Sequence, residues 1–269
     1  DDALGPSHCD ALGSCLSLAV LLEELGKRRE AESMYRRALE GMEAAWGSLD
    51  PRTLACLHGL GALLHSAGRL DEARRALRRA AEGRETTLGP SHPLTLASLS
   101  RLACLTRVAG GRGDAVPMYR RLLAERTAAF GPTHPSTLVS LTMLATLLQA
   151  LDRGAEAEPL LRQVAERREA TAGPLHASTL TSLSQLAMVL QSLGRLDEAE
   201  ALLRRTLEGR EAALGSLHPG TLTALNNLGR LLELRGDEAR AEELYGRQAA
   251  AAERVYGGGG GPGAGAASA

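Results

Sequence analysis

Aromatic residues are nearly missing from this chain of 269 residues: one Trp, four Tyr and one Phe make up 2% of it. Hydrophobic residues nevertheless reach 44%, so any core must be built from leucine and alanine. With β-branched residues also scarce, that composition favours helix over strand. Neither charge is in excess. The 31 basic and 32 acidic residues leave a formal net charge of −1, where a dedicated nucleic-acid binder would carry a basic surplus. No apolar run approaches the roughly 18 residues that a membrane-spanning helix needs, and no signal peptide is visible in a sequence that starts without an initiator Met. The four cysteines (Cys9, Cys15, Cys56, Cys104) form no CxxC pair. They are expected to be buried, reduced thiols of a cytoplasmic protein rather than metal ligands or disulfide partners. The phosphate-cradling GxxxxGK[ST] and the nucleophile turn GxSxG are both missing. No local Ser-His-acid arrangement singles out a triad. The chain therefore reads as a non-enzyme without cofactor or metal.

What is present is a repeat. A glycine recurs at Gly5, Gly47, Gly89, Gly131, Gly173, Gly215 and Gly257, always 42 residues apart, with no insertion. A fixed period in this range marks a stack of supersecondary modules, each packed on its neighbours. Six units follow, 5–46, 47–88, 89–130, 131–172, 173–214 and 215–256, and together they form one array. Ahead of them, residues 1–4 (DDAL) match the EAAL that precedes Gly215 and read as the end of an earlier repeat helix. Behind them, 257–269 is a Gly/Ala-rich run unable to bury apolar surface, expected to be a flexible tail.

Each unit divides into two helices. Helix A opens at Pro51, Pro93, Pro135 or Pro219, a residue whose missing N–H costs nothing at the first helical position. The residue before it (Asp50, His92, His134, His218) would be the N-cap. Apolar residues follow at helical spacing, as in Leu180, Leu183, Leu186, Ala187 and Leu190. Gly26, Gly68, Gly110, Gly194 and Gly236 stop helix A, with Asp152 at that place in the fourth unit. Helix B carries acidic residues in its first turn and arginines later. Pro117 and Pro159 fall within it, so in those units helix B is expected to begin late, near residues 113 and 155, rather than to kink.

Superposing the units brings Leu18, Leu60, Leu102, Leu144, Leu186 and Leu228 to one site, each followed by Ala or Gly. In helix B, Ala31, Ala73, Ala115, Ala157, Ala199 and Ala241 share a site, with Tyr or Leu four residues on. This Leu-small pair, helix-B alanine and large apolar residue resemble the tetratricopeptide repeat. The 42-residue form, with G-x-x-H-P-x-T-L between units as in GPSHPLTL, is similar to the repeats of kinesin light chains and of nephrocystin-3-like proteins. HEAT and armadillo repeats overlap in length but lack the Leu-small pair. The resemblance implies an all-α, right-handed solenoid of six helix-turn-helix units. It implies a protein-interaction scaffold or adaptor, with kinesin or other cargo transport among the possible associations. The heptad coiled coil by which light chains join a heavy chain is not in this stretch, and helix A carries Leu where the family often has an aromatic. A second reading makes the array the sensor part of a larger signalling enzyme, such as an ATPase.

The histidines recurring once per unit (His8, His92, His134, His176, His218) are loop and cap residues on this reading, since stacked helices sit about 8–10 Å apart, too far for one metal ion. Arg36–Arg37, Arg78–Arg79, Arg120–Arg121 and Arg204–Arg205 lie among glutamates on helix B as a solvated outer face. In the implied solenoid, helix A lines the concave side. The sites flanking the Leu-small pair there vary from unit to unit, while the packing sites hold constant. They include His58, Arg101, Arg107, Gln185, Met188, Asn226, Asn227 and Arg230. Amides can pair with a peptide backbone, Arg with carboxylates, and Met can adapt to apolar anchors. These eight residues are the expected peptide-binding groove, against the alternative of a merely solvated face.

Overall fold

The computed structural model describes residues 9–256. The two terminal segments on which the sequence suggests an earlier helix end and a flexible tail, residues 1–4 and 257–269, lie outside the described residues, as do Gly5 and His8. Twelve α-helices and no strand make up the described residues. They are α1 (Cys9–Glu24), α2 (Arg28–Trp46), α3 (Pro51–Ser66), α4 (Leu70–Leu88), α5 (Pro93–Val108), α6 (Arg112–Phe130), α7 (Pro135–Gln149), α8 (Gly154–Ala172), α9 (Ala177–Ser192), α10 (Leu196–Leu214), α11 (Pro219–Arg235) and α12 (Glu238–Tyr256). They fall into two compact bodies, residues 1–140 and 141–269, the division passing through α7. In the first body α1 packs on α2, α2 on α3, α3 on α4, α4 on α5 and α5 on α6; in the second the same chain of neighbours runs from α8 to α12.

The loop motif G-x-x-H-P-x-T-L builds the start of helix A atom by atom. The opening glycines take φ of +83 to +94° (Gly89 at +91°, Gly173 at +94°, Gly215 at +83°) with ψ near 165°, backbone reserved for glycine. His92, His134 and His218 then cap α5, α7 and α11, each accepting through Nδ1 the backbone N–H two residues on, at 3.2, 3.2 and 3.0 Å. His176 does the same for α9, where Ala177 replaces the proline, and Asp50 caps α3 at 2.9 Å. An Nδ1 acceptor requires the neutral Nε2–H tautomer. The threonine of the motif is buried, and its hydroxyl donates back to the opening glycine's carbonyl: Thr53 to Gly47, Thr95 to Gly89, Thr137 to Gly131, Thr179 to Gly173 and Thr221 to Gly215, all at 2.8–2.9 Å. The loop is thereby closed on the first turn of the helix it introduces.

Helix A ends in a Schellman motif. Arg69 N–H reaches Leu64 C=O at 3.0 Å and Gly68 N–H reaches His65 C=O at 3.0 Å, and the six-to-one bond recurs at Lys27, Gly111, Arg153, Arg195 and Asp237. Gly68 sits at φ +78°, and in the fourth repeat Asp152 occupies the same left-handed position at φ +57°, the one non-glycine residue with positive φ among the described residues. Helix B does not begin late in the third and fourth repeats. α6 and α8 start at Arg112 and Gly154, in the same 42-residue register as α4 and α10, so Pro117 and Pro159 lie inside them as the sixth residue. The carbonyls left without a helical donor belong to exposed Gly113 and Ala155, where water can take the donor's place.

Leu60, Leu102, Leu144, Leu186 and Leu228 are buried, as is the small residue after each. The reason for the small residue is steric. A Cβ on Gly61 would lie 2.7 Å from Leu77 Cγ, and one on Gly229 would lie 2.7 Å from Tyr245 Cε1. Leu18 departs from the series and is exposed. Among the cysteines, Cys56 is buried with its Sγ 3.3 Å from Tyr35 C=O, and burial pushes its thiol up to about 12. Cys15 and Cys104 are free but only half-buried, because they sit on helix-A faces that no neighbouring helix fully covers. The side chain of Cys9 is outside the described residues.

A recurring arginine joins α4, α6, α8 and α10 to the helix A that follows each, with Met42 at the same place in α2. Arg84, Arg126 and Arg168 each donate Nη1 to a backbone carbonyl ten residues on (3.1–3.2 Å) and to a serine hydroxyl fourteen residues on (2.7 Å): Ser98, Ser140 and Ser182. Arg210 makes the first of these bonds, to Gly220 at 2.7 Å. Burial lowers the pKa of all four guanidinium groups, which no carboxylate neutralises here. On the outer face, the second arginine of three of the pairs, and Arg247 at the equivalent place in the last repeat, are not merely solvated. Arg79 bonds Glu43, Arg121 Glu85, Arg205 Glu169 and Arg247 Glu211, each carboxylate lying 36 residues earlier on the preceding helix B.

Candidate functional site

The expected groove residues divide between the two bodies. His58, Arg101 and Arg107 belong to the first; Gln185, Met188, Asn226, Asn227 and Arg230 belong to the second.

In the first body, His58 is bound into the packing. Its Nδ1 lies 3.1 Å from Ser98 Oγ, which itself accepts from Arg84. Burial, then the charges of Arg84 and Arg101, hold the His58 pKa down at about 4. Arg107 is half-buried against its own repeat: Nη2 approaches Cys104 Sγ at 3.8 Å, a further hydrogen bond reaches Tyr119, and its Nε is buried without a partner. Arg101 alone of the three is exposed, and it makes no ion pair among the described residues.

In the second body, helix A of successive repeats creates a depression of about 340 Å³. It is lined by Gln149 of α7, Met188, Gln191 and Ser192 of α9, Leu203 of α10, and Asn227, Arg230 and Leu234 of α11. Met188, Asn227 and Arg230 are among the residues singled out by the sequence. Three amides (Gln149, Gln191, Asn227) and one guanidinium stand on the rim, while Leu203, Met188 and Leu234 supply apolar surface. Arg230 is exposed and makes no hydrogen bond or ion pair among the described residues; its charge acts on the nearby Tyr245 hydroxyl. Asn226 and Gln185 lie outside the lining, half-buried. Gln185 Oε1 and Ser184 Oγ, side by side on α9, are buried acceptors without a partner. Leu203, Ser192 and Leu234 were not anticipated. Ser192 and Leu234 lie near the ends of α9 and α11, beyond the rows flanking the Leu-small pair. Leu203 is a buried helix-B packing residue that borders the depression only because α9 and α11 stand beside it.

A second depression in this body, about 640 Å³, is lined by Asp197, Glu200, Arg204, Arg235 and Arg240 among others. Its charges are taken up internally: Glu200 receives both Arg204 and Arg235, and Asp197 receives Arg235 at 2.7 Å. Among the described residues no three His, Cys, Asp or Glu side chains converge as a metal site, and no helix is long and apolar enough to cross a membrane.

Comparison with known proteins follows the same lines. The family model described as tetratricopeptide repeat matches residues 11–86, 52–124, 109–170, 141–212 and 178–254. Among solved structures, the nearly identical TPR-like repeats of a Podosopora anserina protein assigned as a kinesin light chain are 30% identical, with 76% of this chain and 96% of that one covered at a TM-score of 0.68. BtubC (BKLC) from P. vanneervenii is 19% identical over 93% of this chain and 96% of its own, with a TM-score of 0.70. YrrB, a TPR protein with an unusual peptide-binding site, is 18% identical over 79% of this chain and 90% of its own, with a TM-score of 0.53. These likenesses place the fold in the all-α helical-repeat solenoid class. No curated protein matches.

Proposed function

Because the chain belongs to the tetratricopeptide-repeat family, we propose that it is a protein-interaction scaffold or adaptor that docks a short segment of a partner against the helix-A face of its second body. The carrying observation is the depression where Gln149, Gln191, Asn227 and Arg230 surround Met188, Leu203 and Leu234. A peptide backbone presents alternating donors and acceptors, which side-chain amides can match in either direction. Arg230, with no competing carboxylate, is available to an acidic side chain or a C-terminus. Met188 and Leu234 are both exposed and offer an adaptable apolar seat. In the first body Arg101 is a separate contact point, whereas His58 and Arg107 are positioned by their own packing. The likeness to kinesin-light-chain repeats supports an adaptor role, and the peptide-binding site of YrrB supports a peptide as ligand.

The test is a peptide-library screen with the 269-residue chain, followed by calorimetry on the hits. The Met188→Ala/Asn227→Ala/Arg230→Ala variant should lose at least about tenfold in affinity with its helical content intact, since centrally placed contacts dominate such interfaces. Unchanged affinity in a folded variant would overturn the reading.

A further inference from the structure

One position on helix B decides whether a side chain on its own helix A is tied down. Tyr35, Leu77, Tyr119, Leu161, Leu203 and Tyr245 are equivalent, each four residues after the helix-B alanine. The helix-A residue that goes with them, five residues after the Leu of the Leu-small pair, is Glu23, His65, Arg107, Gln149, Gln191 or Glu233 in turn. Where helix B carries tyrosine, that residue is charged and engaged. Tyr35 donates its hydroxyl proton to Glu23 at 3.2 Å, Arg107 donates to the Tyr119 oxygen, and Tyr245 donates to Glu233. Where helix B carries leucine, the residue is neutral, and the side chains of His65, Gln149 and Gln191 make no hydrogen bond among the described residues. The reason is chemical: leucine has neither donor nor acceptor to offer them.

The fourth and fifth repeats are consecutive and both carry leucine. The second body therefore presents two unengaged glutamines at equivalent places on successive helices A. Both line the depression of about 340 Å³, together with Leu203. We propose that Gln149 and Gln191 form a paired amide clamp on the main chain of an extended peptide segment, and that leucine in place of tyrosine at Leu161 and Leu203 selects these two repeats for binding. The proposal rests on the docking reading above and narrows its ligand. A side-chain amide donates and accepts, as a peptide unit does, so each glutamine can bond one N–H and one C=O of the segment. A helical segment spends those groups on its own hydrogen bonds, so the clamp selects against it. Because the two amides carry no charge, they read main chain. The choice among side chains is left to Met188, Leu234 and Arg230 around them. In the sixth repeat Glu233 occupies the same row but is held by Tyr245, so the clamp does not extend to α11.

The test uses the 269-residue chain and the peptides that a library screen selects on it, with affinities from calorimetry and folding checked by circular dichroism. Gln149→Leu/Gln191→Leu removes both amides and should weaken binding at least about tenfold. Leu203→Tyr supplies the hydroxyl that the other repeats use to engage this row, and should weaken binding about threefold or more. Leu203→Phe brings the ring without the hydroxyl and should bind more tightly than Leu203→Tyr. In the free protein, Leu203→Tyr should slow solvent exchange of the Gln191 side-chain NH2 by NMR, and Leu203→Phe should not. Peptides N-methylated at one main-chain nitrogen at a time should lose at least about tenfold where the clamp holds them. If the Leu203 variants do not fold, the double glutamine variant and the N-methyl series decide the matter alone. Peptides that lose affinity for Met188→Ala/Asn227→Ala/Arg230→Ala, yet bind Gln149→Leu/Gln191→Leu like the parent or tolerate every N-methyl group, would overturn the clamp and leave the docking reading standing. Equal affinities and equal NH2 exchange in folded Leu203→Tyr and Leu203→Phe would overturn the selecting role of the leucine. Failure to select any peptide would overturn both readings.

Discussion

At the scale of the residue, burial and partner decide what each side chain can do. Leu186 is almost wholly enclosed, so Leu186→Ala should cost about 2–5 kcal/mol in chemical denaturation. Arg205, exposed and paired with Glu169 on the outer face, should cost no more than about 0.5 kcal/mol when changed to Ala. Equal effects would mean the helix register is wrong. His58 gives a pH signature. Folded, its pKa is about 4; in the unfolded chain it returns to about 6.5. Between those values the unfolded state takes up a proton that the folded state refuses, so stability should fall as pH drops through that window and level off below it. His58→Gln should flatten that slope, measured by denaturation at several pH values. The buried arginines were the residues least legible in the sequence. Arg84, Arg126, Arg168 and Arg210 recur five residues before four of the opening glycines, Gly89, Gly131, Gly173 and Gly215. They sit among glutamates, as surface arginines do, and only the folded chain turns them onto a carbonyl and a serine.

At the scale of the element, the helix boundaries were legible because caps are local chemistry. A histidine or aspartate before proline, a threonine two residues after it and a glycine at each stop are read within one turn of backbone. What failed was the inference from Pro117 and Pro159, where the proline's preference for a first turn yielded to the register set by Ala115, Tyr119, Ala157 and Leu161, all buried in helix B. Asp152 holds a left-handed conformation that five other repeats give to glycine. Since that conformation costs a non-glycine residue about 1–2 kcal/mol, Asp152→Gly should raise stability by up to about 1 kcal/mol, read as an upward shift in the denaturation midpoint. The arginine latch is worth more. Arg168→Met removes two hydrogen bonds from a charged donor and should cost about 1.5–3 kcal/mol in the same measurement. Ser182 should stay satisfied, because its hydroxyl also bonds Ser178 C=O at 2.9 Å.

At the scale of the whole molecule, contacts run between consecutive helices, with only α1·α3 and α3·α5 reaching further among the stronger pairs. Stability in such a chain is close to a sum of local terms. Hydrogen exchange on Leu186→Ala should therefore quicken in α8, α9 and α10 while the amides of α1 to α4 keep their protection; uniform acceleration along the chain would contradict it. The site was only partly legible for the same reason that the fold was legible. Packing positions obey one demand repeated every 42 residues, but a depression needs helices from different repeats side by side. Thus Met188, Asn227 and Arg230 could be named from their rows, whereas Leu203, buried in helix B yet bordering the depression, could not.

The threonine-locked glycine loops also bear on how such a chain can change in length. Every junction between repeats shares the glycine turn and the threonine lock. Excising 173–214 would bring Arg168 to the carbonyl of Gly220, as Arg210 is now, and Glu169 to Arg247, as Glu211 is now. The turn at Gly173 would be replaced by its equivalent at Gly215. Recombination between copies of the repeat can therefore delete or duplicate one whole period and regenerate the cap, the threonine lock and the ladder at the seam, with Arg168 losing only its serine because Ala224 stands where Ser182 does, while a change of any other length breaks the caps, the locks and the ladder together. Length, in this protein, is inherited in quanta.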